Sequence, residues 1–146
     1  KASGCKLSDI SENEGYLVVD YKSIKDYFAA ADKYDVNFDK KSTDFLNSSI
    51  IKREGIKPLR PSVEAGFHSV LKKYVRHTLS VYANILCCCE EGKEIAGEIF
   101  NDISFIWLDY MDPGPKLTLA VAQAIKNFGS TPGSIYAESR TYCFRR

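Results

Sequence analysis

Residues 62–89, SVEAGFHSVLKKYVRHTLSVYANILCCC, decide how the chain is read. Ser62 follows Pro61 and offers a hydroxyl to the unpaired N–H groups of a first helical turn. Val63, Phe67, Val70, Leu71, Tyr74, Thr78, Tyr82, Ile85, Leu86 and Cys89 then recur three and four apart, which gathers them on one side of a helix of about seven turns. Lys72, Lys73, Arg76, His77, Ser80 and Asn84 fall on the other side. The pattern predicts one long amphipathic helix whose apolar stripe is core.

Glu90, Glu91 and Gly92 interrupt it, and Ile95, Ala96, Ile99, Phe100, Ile103, Ile106, Trp107 and Tyr110 form a second stripe. So short a break predicts an antiparallel hairpin of helices, 62–89 against 93–111. Pro113, Gly114 and Pro115 stop the second helix, and Leu117, Val121, Ala124, Ile125 and Phe128 make another before Gly129. Upstream, Ile24, Tyr27, Phe28 and Ala31 predict a helix over 21–34. A shorter one, capped by Ser42 or Thr43, carries Phe45, Leu46, Ile50 and Ile51 and ends at Gly55. Tyr16 to Val19 reads as a short strand or the lead into the first helix. The expectation is an all-α bundle of four to five helices. It forms a single domain with a polar N-terminal arm, 1–15, and an irregular tail, 130–146, since no repeat or Gly/Ser linker divides the chain.

The balance of 45% hydrophobic and 27% charged residues in 146 is that of a globular domain able to bury a core. No run approaches the roughly 18 apolar residues of a membrane span, so the chain reads as soluble. It starts at Lys1 rather than Met, which reads as a chain processed after removal of a targeting peptide, or as an expressed fragment. The net charge of +1 conceals an uneven spread: residues 52–77 carry seven basic against two acidic side chains, and 90–112 one against seven. Separated patches of this kind favour charged contacts over generic polyanion binding.

Five cysteines cannot all pair internally. Cys5 and Cys143, one near each end, are the pair open to a disulfide. Cys87, Cys88 and Cys89 point about 100° apart on a helix and cannot share an ion, so they read as small hydrophobes. His68 and His77 lie on opposite sides of the same predicted helix. Asp35, Asn37 and Asp39 match the start of a calcium-binding EF-hand loop. Lys40 then stands where the turn needs Gly, and Leu46 where a bidentate Glu must close the shell, leaving a polar loop with local turn bonds. No GxSxG, HExxH, Walker or dinucleotide glycine pattern is present. The glycines of 129–134 read as a cap and turn, and the carboxylates of 90–109 as a wet helix face. Metal and cofactor are expected to be none.

What remains is a basic patch of Lys52, Arg53, Lys57, Arg60, Lys72, Lys73 and Arg76. It predicts a non-enzymatic interaction or assembly protein, such as an accessory or extrinsic subunit of a larger complex. Such a subunit would dock on an acidic protein surface, and peripheral association with a membrane complex fits the same patch. The alternative is a nucleic-acid-binding nucleoprotein or coat-type protein using the 52–77 surface, and a third is an enzyme using a thiol among Cys87 to Cys89.

Overall fold

A computed structural model describes residues 3–54, 59–71, 74, 75, 77, 78, 80–128 and 134–137, with the backbone alone described at 52–54 and 134–137. It divides into two compact units: Lys1–Val70 with Pro113–Leu119, and Leu71–Asp112 with Ala120–Arg146.

In the first unit the apolar run at 16–19 is a strand, β1 (Tyr16–Val19), followed at once by α1 (Tyr21–Ala30). Asp20 makes that sharp start: its carboxylate accepts the N–H of Ser23 at 3.0 Å and the Ser23 hydroxyl at 2.6 Å. These bonds hold its carboxyl below the ordinary aspartate range, the hydroxyl contributing most. Ile24 and Phe28, one turn apart on α1, are buried as their spacing predicts. They meet α2 (Phe38–Ser48), from which Phe38, Ser42 and Leu46 are buried at every fourth residue. Tyr27 stacks on Phe45 with ring centres 4.3 Å apart, and Phe28 meets Phe38 edge to face at 6.4 Å.

The second helix therefore starts earlier than expected. Ser42 is no cap but a buried mid-helix residue, its hydroxyl 3.2 Å from that of Tyr27. Ile50 and Ile51 leave the helix for β2 (Ile50–Glu54), where branched side chains suit a pleated backbone. β2 pairs antiparallel with β1, Tyr16 opposite Glu54, with a register shift between Val18 and Val19. Between α1 and α2, Asp35 accepts from the N–H of Asn37 at 2.8 Å and pairs with Lys41. Lys41, then Asn37, lowers the Asp35 carboxyl, and Asp35 raises the Lys41 ammonium. These are the local turn bonds of a polar loop.

The long helix over 62–89 does not form. Ala65–Val70 is a short helix, α3, and Val81–Cys88 is a separate one, α4. The described residues between them are not helical. Ser80 is extended and caps α4, its hydroxyl accepting from the N–H of Ala83 at 3.4 Å. At the earlier end the Ser69 hydroxyl donates to the Gly66 carbonyl at 2.6 Å, giving that carbonyl a partner outside the helical ladder. Between the two lie Val75 and Thr78, branched residues that weaken a helix. The predicted stripe is accordingly no core: Tyr74 is 85% exposed, Tyr82 83% and Ile85 53%.

Gly66 is what α3 needs against α1. A side-chain carbon there would collide with Thr118 Oγ1 and come within 2.9 Å of Phe28 Cε2. Thr118 is itself fully buried, its hydroxyl donating to the carbonyl of Gly114 at 3.4 Å.

In the second unit the expected partner helix, 93–111, is also divided. α5 (Gly92–Ile99) ends at Phe100, whose N–H bonds the Ala96 carbonyl. After a turn the chain becomes a strand, β3 (Phe105–Leu108). Phe-Ile-Trp-Leu is a strand sequence, and Asn101, Asp102 and Ser104 before it are turn formers. α6 (Pro115–Phe128) follows, with Pro115 at its first position. The tail, expected to be irregular, supplies β4 (Ser134–Ala137), parallel to β3 with Ile106 opposite Ile135. Parallel neighbours require a crossover, and α6 lies between them in sequence, a βαβ arrangement. The all-α bundle is thus overturned. The chain is a mixed α/β fold with an antiparallel pair in one unit and a parallel pair in the other.

Candidate functional site

Of the basic patch, Lys52, Arg53 and Arg60 fall among the described residues, the first two by backbone alone. Lys52 and Arg53 are strand positions in β2, opposite Val18 and Leu17. Arg60, exposed, bridges to Ser3 through the backbone, its carbonyl accepting from the Ser3 N–H at 3.1 Å. Lys57, Lys72, Lys73 and Arg76 lie outside the described residues, as does Cys143 of the candidate disulfide; Cys5 is half-buried. Of the three adjacent cysteines Cys87 is buried, while Cys88 and Cys89 are half-buried at the end of α4. His68 stands in α3, and His77 in the segment before α4. Among the described residues no three His, Cys, Asp or Glu side chains lie together as a metal site.

Each unit has a hollow among its described residues. The first unit has a small one of 80 Å³ beside Arg60, Leu46 and Pro115. The second unit has an open cleft of 510 Å³, a volume in the range of small-molecule sites. β3 supplies its floor through Phe105, Ile106 and Trp107; Lys93 and Gly97 border it from α5, and Asn127 and Phe128 from the end of α6.

Each element presents these groups for a local reason. Lys93 and Gly97 are four residues apart on α5 and share a face. Gly92, which opens that helix, cannot carry a side chain, because a Cβ would strike the carbonyl of Leu86; the same position lies 3.4 Å from Trp107 Cη2. The Trp107 ring is thereby set under the start of α5. Phe105 meets Phe100 at 6.1 Å in an edge-to-face contact.

The polar groups of the cleft are donors. Lys93 is exposed and makes no ion pair with a described residue. The side-chain oxygen of Asn127 accepts from Gln123 Nε2 at 2.7 Å, which leaves its N–H₂ group to offer. Among the described residues the lining contains no carboxylate and no nucleophile beside a base. Chemically the cleft can bind and orient a ligand by apolar faces and donated hydrogen bonds. Sequence reasoning assigned Ile106, Trp107 and Phe128 to core stripes and passed over Lys93, Gly97, Phe105 and Asn127. Two signals were present: Lys93 is the lone cation of 90–112, and Gly97 interrupts a helical pattern without a turn beside it.

A search for similar proteins gives 33% identity over 90 residues, 61% of this chain, with a Bacillus subtilis (strain 168) protein named "Uncharacterized oxidoreductase YuxG". The chain spans about an eighth of that protein, 12% of its length. No family model matches, and no solved structure matches. The relative's name is that of an enzyme. It overturns the expectation of a non-enzymatic interaction and assembly subunit, drawn from absent catalytic motifs and separated charge patches, and with it the nucleoprotein or coat-type alternative drawn from the basic 52–77 surface. Among the described residues no helix is long and apolar enough to cross a membrane.

Proposed function

We propose that the chain acts in an enzyme of the oxidoreductase class and that the cleft of its second unit is where it binds a small molecule. The single observation that carries this is the 33% identity over 90 residues with a protein named as an oxidoreductase. The cleft supports it with an aromatic floor and convergent donors.

The share of the reaction proposed for this chain is ligand binding in that cleft, apart from any dinucleotide site of the glycine-rich kind. A dinucleotide pyrophosphate needs closely spaced glycines at a strand-to-helix turn so that the backbone can approach it. The turn after β1 is Asp20 alone, and the loop from β3 to α6 has one glycine, Gly114.

The test is a spectrophotometric screen of the purified chain with alcohols and carbonyl compounds. Nicotinamide dinucleotides, flavins and redox dyes are offered as electron partners. Substrate-dependent change in the carrier's absorbance is expected, and it should be lost in Trp107→Ala. Absence of any such change across the carriers would remove the reading.

A further inference from the structure

The reading of the cleft as the ligand site leaves open what kind of molecule it takes, and two glycines on one helix bear on that question. Gly92 is explained by the protein: a Cβ there strikes the Leu86 carbonyl. Gly97 is not. A Cβ at Gly97 would find no described atom within 4 Å, and its backbone is ordinary helix. A glycine inside a helix weakens it relative to alanine, so nothing within the described fold gains from this one. Gly97 borders the cleft, and the space at its Cβ is open. Its bare backbone widens the cleft beside the aromatic floor.

The rest of the lining specifies chemistry. Phe105, Trp107 and Phe128 offer ring surface, which favours a flat apolar body. The Lys93 ammonium and the Asn127 N–H₂ donate, and among the described residues no lining group is a carboxylate that would repel an anion. On these grounds we propose that the cleft binds a planar organic oxyanion, its flat body against Phe105 and Trp107 beside Gly97 and its charged oxygens toward Lys93 and Asn127. This rests on the reading of the cleft as the ligand site, but its test requires no turnover.

Trp107 is the sole tryptophan of the chain, so its fluorescence reports from the cleft floor. The probes are anilinonaphthalene sulfonate and phenylnaphthylamine, the same flat body with and without the anion, each accepting energy from an excited indole. The sulfonate is expected to quench Trp107 saturably and to bind several-fold more tightly than the uncharged probe. Lys93→Ala should weaken the sulfonate by about three- to fivefold and leave the uncharged probe unchanged. Gly97→Leu should weaken both probes at least tenfold while the urea midpoint of the protein stays the same or rises, which separates a filled cleft from a damaged fold.

Equal affinity for the two probes, or a sulfonate preference that survives Lys93→Ala, would overturn the oxyanion and leave the cleft as an apolar site. Binding of both probes unaltered by Gly97→Leu, or no quenching by either, would overturn the cleft itself. A redox screen without turnover bears on neither outcome, so the two proposals fail separately.

Discussion

Gly66 and Gly97 are both helical glycines, and their surroundings predict opposite responses to alanine. At Gly66 the added methyl meets Thr118 Oγ1 and the Phe28 ring between packed elements. Overpacking of this kind costs about 1–3 kcal/mol, which exceeds the gain in helix propensity, so Gly66→Ala should lower the free energy of unfolding measured in urea. At Gly97 the methyl meets no described atom, and Gly97→Ala should raise it by about 0.5–1 kcal/mol. Asp20 adds a pH-dependent case. Its carboxyl is depressed by the Ser23 hydroxyl and N–H, so its contribution is complete above the ordinary aspartate value, about pH 4. That contribution is lost as the pH falls through the depressed folded value. Asp20→Ala should therefore lower Tm by about 2–4 °C at neutral pH, and thermal scans of variant and parent should converge in acid.

Among the elements, α1 was legible because Ile24 and Phe28 mark a stripe that is in fact buried, with a capping Asp directly before it. α6 was legible for a related reason: Pro113, Gly114 and Pro115 fix where it can start. The 62–89 helix was illegible because two segments, each of helical period, fall almost in phase across a break. Periodicity counts apolar positions and does not register that Ser80 can begin a helix as readily as continue one. The strand over 105–108 was missed for the converse reason. Four apolar residues in a row satisfy a helical stripe and a buried strand alike, and the turn formers at 101, 102 and 104 were the signal to weigh. The two readings differ measurably at Ile103 and Ile106, which a single helical stripe would bury together. Ile106 is 8% exposed and Ile103 46%. Ile106→Ala should cost about 2–5 kcal/mol and Ile103→Ala about 0.5 kcal/mol or less in urea unfolding. Equal costs would restore the helix.

At the scale of the whole molecule, most of the charge that the sequence gathers into a basic patch belongs to side chains outside the described ones. Lys52 and Arg53 went into a strand and Arg60 beside a small hollow. The cleft that the fold does create joins three elements drawn from residues 93–128, a stretch sequence reading had divided between a helical hairpin and a further helix. Its chemistry is convergent only once β3 is a strand that lays Phe105 and Trp107 beneath α5 and α6. Of the candidate site, Trp107 and Phe128 were visible as apolar periodicity, Phe105 fell outside the helical stripe, and the donors were hidden because a lone lysine and a lone asparagine make no motif. The most direct test is the specificity constant for acceptor reduction by the parent chain and by Gly97→Leu, with the urea midpoint of each measured alongside. A fall of kcat/KM of tenfold or more with the midpoint unchanged or raised is the predicted result; an unchanged kcat/KM with the cleft filled would contradict it.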